Sequence, residues 1–298
     1  MMGRAVVIGG AGFIGSYVVR ELLSQNFNVV VIDNLSVGKK ENIPTNIPLI
    51  VADITNKNEL MMHIKEGDII FHLAALTSVP ESIEYPEKYN AVNVEGARNV
   101  FEIARIKKVR GIIFSSSASV YGNQEGVMHE TNPTKPESPY AQSKVEGENL
   151  GKKYAEEYKL PSVSLRYFNV YGKGNNETGS YAPVTARFLK QKREGSLLTI
   201  TGDGSQTRDF IHVEDVARAN VFAIKLLDNK ESEILNISSG KATSVKEIAN
   251  IIGGEIEYLP ERKEIKHSLG DNTKAKELLG WEPSISIEEG IKELLNEK

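Results

Sequence analysis

Cysteine is absent from the 298 residues, which excludes disulfides, thiolate nucleophiles and cysteine-ligated metals. That absence suits a reducing cytoplasm. Histidine is scarce: His63, His72, His129, His212 and His267 are scattered, with no pair at metal-ligand spacing, so no metal is expected. Long apolar runs are missing too. Behind Arg4, the run Ala5, Val6, Val7, Ile8 is broken by Gly9, Gly10, Gly12 and Gly15, far short of the roughly 18 apolar residues of a membrane span. It reads as a buried strand of a soluble protein with no membrane partner. Neither sign of charge dominates. Lysine and arginine number 36 against 40 acidic residues, a net −4 with no basic stripe, which argues against nucleic acid as a partner.

What is present is ordinary for a globular chain: 40% hydrophobic residues, enough for a core, over a length that holds one large domain or two modest ones. Short β-branched apolar runs lie at 5–9, 28–33, 48–53, 68–73, 111–116 and 161–166, with amphipathic stretches near 13–25, 56–65, 92–107 and 140–159 between them. The runs are apolar almost throughout, as strands buried on both faces of a parallel sheet should be. The alternation predicts an α/β fold, a Rossmann-type doubly wound parallel sheet. Beyond residue 170 the texture changes to a Gly/Asn-rich loop at 172–180, mixed short strands and helices, and a charged tail helix near 286–296. We expect residues 1–171 to form the dinucleotide unit, with a segment of about 208–228 returning to it. Residues 172–298 are expected to form a smaller mixed α/β substrate-binding lobe.

Three motifs carry chemistry. Gly9, Gly10, Ala11, Gly12, Phe13, Ile14 and Gly15 join the first strand to a helix, where glycines permit a tight turn and close approach to a pyrophosphate. The second strand ends at Asp33, 18 residues after Gly15, where a carboxylate accepts ribose hydroxyls and repels a 2′-phosphate, favouring NAD over NADP. Asp53, at the end of the third strand, suits either the adenine amino group or a helix cap before Thr55. Second, Tyr140 and Lys144 stand four residues apart on one helix face. A lysine charge about 5 Å from the phenol, at an effective dielectric near 20, offers roughly 3 kcal/mol, or about two pKa units of lowering. Third, Ser115, Ser116, Ser117 and Ser119 leave an apolar strand at the carboxyl edge, where such hydroxyls suit a polar site better than a core.

As an ordered set, these motifs resemble the extended short-chain dehydrogenases/reductases. The set comprises the glycine loop, Ser115 to Gly122, Tyr140-x-x-x-Lys144, Arg166-Tyr167-Phe168-Asn169-Val170-Tyr171-Gly172, Arg208-Asp209-Phe210-Ile211-His212-Val213 and Leu279-Gly280-Trp281-Glu282-Pro283. Within that group the chain is most similar to UDP-glucose/UDP-N-acetylglucosamine 4-epimerases, and the likeness spans nearly its whole length. The resemblance implies bound NAD held by Gly9, Gly12, Phe13, Ile14, Gly15, Asp33, Asn34, Ser36, Gly38, Asp53, Ile54, Leu73, Ala74 and Ala75, with Tyr140 and Lys144 also contacting it. It implies Tyr140 as base and acid, Lys144 as its partner, and Ser117 as the hydroxyl bonding the sugar O4. A UDP-hexose would be met by Thr77, Ser78, Ser117, Ser119, Tyr140, Asn169, Arg208, Arg262, Glu264 and Ser268. For Asn169 the alternative is a loop cap; for Arg208 it is a salt bridge to Asp209 or Asp215. The implied reaction oxidises C4 to a ketone and returns the hydride to the other face, regenerating NAD.

Departures from the pattern narrow the reading. Relatives that dehydrate or decarboxylate the sugar carry an acid in the stretch occupied here by Ser117, Ala118 and Ser119. Many glucose/galactose epimerases have lysine where Thr77 stands, and the arginine element near the uridine ribose is reduced to Arg262, Lys263 and Glu264 with shifted spacing. Epimerases restricted to unacetylated sugars carry a tyrosine where Ser268 aligns. The other readings are a 4,6-dehydratase or reductase of nucleotide sugars, and a non-catalytic NAD(H)-binding regulator. Helices near 92–107 and 140–159 resemble the pair that forms a four-helix homodimer interface in this group.

Overall fold

The computed structural model describes residues 3–124, 126–175, 182–229, 231–261 and 266–296. The apolar runs become strands β1 (Arg4–Ile8), β2 (Asn28–Asp33), β3 (Leu49–Val51), β4 (Ile69–His72) and β5 (Gly111–Ser117). With strands Ser162–Tyr167 and Ser232–Ile237 they form one seven-stranded sheet. Its order is Ser232–Ile237, Ser162–Tyr167, β5, β4, β1, β2, β3, and every pairing is parallel. All four residues of β4 are buried, which explains why its sequence shows no polar alternation. The winding direction reverses between β1 and β4, so the carboxyl ends of the strands there open the crevice in which such sheets bind ligands.

Two helical layers cover the sheet. Helix α1 (Phe13–Ser24) packs beside helix Val213–Phe222 on one face, burying Val18, Val19, Leu22, Val216 and Ala217 with Trp281. The other face carries helices Gly96–Lys107 and Pro139–Tyr158, through Val100, Phe101, Ala104, Leu150 and Tyr154. Ser138 starts the longer of these, its hydroxyl accepting from Ala141 N at 3.1 Å ahead of Pro139, whose ring suits a first helical position. None of the described helices is long and apolar enough to cross a membrane.

A smaller core gathers Phe188, Leu198, Ile200, Phe210, Val245, Ile248, Ile252 and Ile291, between helices Val184–Arg193, Val245–Ile252 and Ile287–Asn296. The division expected at residue 172 needs one correction. Strand Ser232–Ile237 lies in the large sheet, paired with Ser162–Tyr167, so the chain's return to the first unit runs beyond residue 228. Leu235 and Ile237 are fully buried there, and the main sheet is the surface long and apolar enough to cover them.

Candidate active site

The glycine loop is dictated by contact distances. Gly9 has a φ of +85°, and a Cβ on it would meet Ala74 N at 2.4 Å. On Gly15 a Cβ would meet Gly9 O at 2.1 Å, so the start of α1 rests directly on the loop. Gly12 caps α1 without any side-chain hydrogen bond, and the first turn carries no acid. The leading N–H groups and positive dipole end are thus available to a pyrophosphate. Leu73 N and Ala74 N both donate to Ile8 O, at 2.8 and 2.9 Å, setting the segment 73–75 beside the loop.

Asp33 closes the other side of this cradle. Its Oδ2 accepts from Ala11 N at 2.9 Å and its Oδ1 from Leu35 N at 2.8 Å, which fixes the carboxylate while leaving lone pairs for ribose. Gly38 lies against it, since a Cβ there would come within 3.0 Å of Asp33 Oδ1. Asn34 bonds Asp53 Oδ2 at 2.7 Å and accepts from both Ser36 N and Ser36 Oγ. Asp53 does not cap the helix that follows, Lys57–Met61, whose cap is Asn56 accepting from Glu59 N. Instead its Oδ1 accepts from Thr55 N and Oγ1 at 2.8 and 2.6 Å in a local turn. Burial pushes the Asp53 carboxyl up, but the hydrogen bonds from Thr55 and Asn34 outweigh it and hold the group below its ordinary value. Ile54 stands apart from the others, because its side chain is buried in the core against Gly96. Phe13 and Ile14 are half-buried at the start of α1.

At the carboxyl end of β5, Ser117, Tyr140 and Lys144 come together. The Ser117 side chain lies beside the Tyr140 hydroxyl and favours its ionised form. It also accepts from Ser119 N at 3.2 Å, opening a 3-10 turn over Ala118–Tyr121. Ser119 Oγ is buried with no hydrogen-bond partner in the protein, as a group reserved for a ligand would be. Lys144 is 4% exposed, and its Nζ donates to Ser115 O at 2.8 Å. That ammonium lies 5.4 Å from the Phe114 ring centroid and 5.8 Å from that of Tyr140. Helix Pro139–Tyr158 reaches this depth because Gly147 carries no side chain; a Cβ there would meet Phe114 Cζ at 2.0 Å.

The expected lowering of Tyr140 by Lys144 is not found. Burial pushes the phenol above its ordinary value, and the neighbouring Ser117 side chain only partly offsets this. Lys144 itself is driven down to about 8 by burial, against the opposing charge of Glu148. A lysine charge alone would lower the phenol, but the desolvation of both groups outweighs it here.

Toward the smaller lobe the expected substrate residues fare unevenly. Asn169 Nδ2 bonds Asp209 O at 3.0 Å, tying strand Asn169–Tyr171 to its partner Thr207–His212 rather than capping a loop. Arg208 Nη1 bonds Thr207 O at 2.9 Å and Lys266 O at 3.5 Å. The carboxylates weighed as its partners serve other groups. Asp209 accepts from Ser239 N, Ser239 Oγ, Gly240 N and Gly270 N. Asp215 accepts from Ser284, Ile285 and Arg218. Ser268 N bonds Thr207 O at 3.2 Å, which sets Ser268 beside the Thr207–Arg208 step. Ser78 caps helix Val79–Glu84 by accepting from Glu81 N at 3.3 Å, and Thr77 is exposed ahead of it. Arg262 and Glu264 lie outside the described residues.

Several contributors escaped the sequence reading. Asn93 is 5% exposed, bonds both Leu76 N and Leu76 O, and reaches Ser143 Oγ at 3.1 Å, tying the 74–77 loop to the catalytic helix. It sits in a π-helical stretch, Asn90–Glu95, of the kind that often marks functional sites. His72 ends β4 with a buried, unpartnered Nδ1, and burial with the Lys144 charge lowers it to about 3. A polar residue recurring on an otherwise inward helix face was the available signal, as with Glu148, one turn past Lys144.

A family model described as the NAD dependent epimerase/dehydratase family matches residues 5–238. A UDP-N-acetyl-alpha-D-glucosaminuronate decarboxylase of Bacillus cytotoxicus is 34% identical, over 99% of this chain and 97% of that protein. The UDP-N-acetylglucosamine 4-epimerase of Methanobrevibacter ruminantium M1, solved with UDP-N-acetylmuramic acid, superposes with a TM-score of 0.92 at 35% identity, covering 98% of this chain and 96% of that one. The UDP-glucose 4-epimerase of Thermotoga maritima, solved with UDP-glucose, gives 0.90 at 37% identity, covering 98% and 97%. With the glycine cradle and the Ser117, Tyr140, Lys144 set in place, the chain belongs to the NAD dependent epimerase/dehydratase family.

Proposed function

We propose that this chain is an NAD-dependent 4-epimerase of a UDP-activated hexose. The observation that carries this reading is the convergence of Ser117, Tyr140 and Lys144 beside the glycine cradle, with no carboxylate at positions 117–119. The cradle fits NAD: a Cβ at Gly9 or Gly15 would fill it, and Asp33 presents a fixed carboxylate at its rim. NAD, when bound, supplies the hydride acceptor and donor. Ser117 orients the sugar 4-hydroxyl, and Tyr140 takes its proton as C4 is oxidised, then returns a proton to O4 after the ketone has presented its other face. Lys144 keeps a positive charge near the phenol; both groups are dry, so any charge on one acts strongly on the other. Arg208 suits bidentate contact with the diphosphate, holding the substrate while the sugar turns. The missing acid at 117–119 argues against the decarboxylation named for the Bacillus cytotoxicus relative.

The sugar range follows from Ser268. A serine beside the Thr207–Arg208 step leaves room for a C2 acetamido group, so the N-acetyl forms are accepted with the plain hexoses. We further assign a homodimer to helices Gly96–Lys107 and Pro139–Tyr158, whose outer surface exposes Ile106 and Tyr158. One experiment tests the reaction: incubation with UDP-glucose, UDP-galactose and their N-acetyl forms, following the anomeric protons by NMR. Interconversion at C4 without net reduced nicotinamide is expected. Release of carbon dioxide or water, or accumulation of NADH, would overturn the reading.

A further inference from the structure

Helix Pro139–Tyr158 carries, one turn beyond Lys144, an acid that the reaction scheme leaves unused. Glu148 is 5% exposed, and its two oxygens are fully engaged. Oε1 accepts from Ser116 Oγ at 2.5 Å and from Arg166 Nε at 2.8 Å; Oε2 accepts from Arg166 Nη2 at 2.7 Å. Arg166, 3% exposed, lies 4.7 Å over the Tyr121 ring and reaches Glu130 O at 3.5 Å. Ser116 and Arg166 are also partners in the sheet register.

The placement of Ser116 gives this cluster its meaning. Its neighbour Ser115 offers the carbonyl that holds Lys144, and its neighbour Ser117 lies beside the Tyr140 hydroxyl. One carboxylate thus joins the helix bearing Tyr140 and Lys144 to the strand end bearing the hydroxyl. We propose that Glu148 is a positioning residue, pinning the catalytic helix to the serine strand end and supplying the negative charge that keeps Lys144 an ammonium ion.

The surroundings support that role: Glu148, although paired with Arg166, is the acid one helical turn from Lys144 whose charge acts on it. On the lysine's own helix it meets Tyr140 and Glu148; from β4 it meets neutral His72, and beyond Glu148 stand Arg166 and Tyr121. Acids on the neighbouring elements are engaged: Glu81 with Lys88 and Tyr89, Glu95 with Arg98, Glu102 with Arg105 and Tyr154, and Glu233 with Lys274. Burial alone favours a neutral amine, and Glu148 is the charge that opposes it.

The catalytic consequence rests on the 4-epimerase reading, whereas the charge state of Lys144 does not, so the test reads both. Protein labelled with ¹³C at lysine Cε is titrated by NMR, with Lys144 assigned from a Lys144→Met variant, and turnover is followed over the same pH range. In Glu148→Gln the Lys144 midpoint should fall by about one unit or more, the size expected for losing a nearby opposite charge. The alkaline limb of turnover should move with it. Should that variant fail to fold, Glu148→Leu combined with Arg166→Met removes both charges, a replacement buried ion pairs often tolerate. A smaller downward shift is expected there, because losing the Arg166 cation offsets part of losing the Glu148 anion. Ser116→Ala, which keeps the charge, should lower turnover without moving the midpoint. An unmoved midpoint in a folded Glu148 variant, with activity scaled equally at every pH, would overturn the inference. A moved midpoint in a protein that epimerises nothing would sink the 4-epimerase reading and leave this one standing.

Discussion

The two sides of the crevice are specified by different means. On the cofactor side, geometry is set by atoms that are missing: side chains at Gly9 and Gly15 would strike backbone at 2.4 and 2.1 Å. The residues doing this are close in sequence and belong to one strand–loop–helix unit. On the sugar side, geometry is set by atoms that are present and distant in sequence. Asp209 alone gathers donors from Ser239, Gly240 and Gly270, and Ser268 is placed by the carbonyl of Thr207. The first kind of site leaves no room for a side chain at Gly9 or Gly15, whereas the second is held together by donors from separate segments.

The largest effect should fall where the two sides meet. Tyr140→Phe is expected to keep the fold and NAD binding yet lower turnover by roughly a hundredfold or more, as for loss of a general base. Near-normal turnover in clean protein would remove the phenol from the mechanism. Next comes the cofactor side itself. Gly15→Ala has no room for its methyl, so calorimetry should show NAD affinity reduced by about tenfold or more, while Tyr140→Phe retains it.

Ser268→Tyr probes the other side. It should exclude the N-acetyl sugars by filling the space beside C2, with turnover of the plain hexoses little changed. Parallel loss of both activities, or a wild type inactive on N-acetyl sugars, would show that Ser268 is not the gate. Asp33→Ala should narrow the preference for NAD⁺ over NADP⁺ by about tenfold, the scale of one lost charge-assisted contact. Equal dissociation constants in the wild type would refute the ribose assignment.

The smallest effect concerns stability against acid. His72 is held neutral, lowered from 6.5 to about 3 by burial and then by the Lys144 charge. A depressed folded value makes the unfolded chain bind the proton first, so this contribution is complete above pH 6.5 and is lost as pH falls toward 3. His72→Phe should therefore lose fewer degrees of Tm than wild type between pH 6.5 and 4.5. Identical Tm slopes would mean that His72 does not titrate differently on unfolding.

Much of this molecule was legible along the chain. The parallel sheet follows from apolar β-branched runs, and the cradle from glycine spacing with Asp33 beyond it, because local sterics and short-range periodicity act within a few residues. The Tyr140 and Lys144 pair was legible for the same reason, being set by helix geometry alone. Its electrostatics were not: desolvation depends on what covers the pair, and Phe114, Gly147 and β5 come from elsewhere. Asn93, Glu148 and Arg166 needed the fold as well, since each matters through a partner between 17 and 50 residues away. Strand Ser232–Ile237 shows the same limit, because its own run does not reveal which sheet edge will cover it. The sequence by itself thus determined the backbone cradle and the placement of Tyr140 and Lys144 on one helix face. Only tertiary structure decided the dryness, charge state and register of that pair, because those depend on non-local packing and each buried charge is governed by whatever surrounds it.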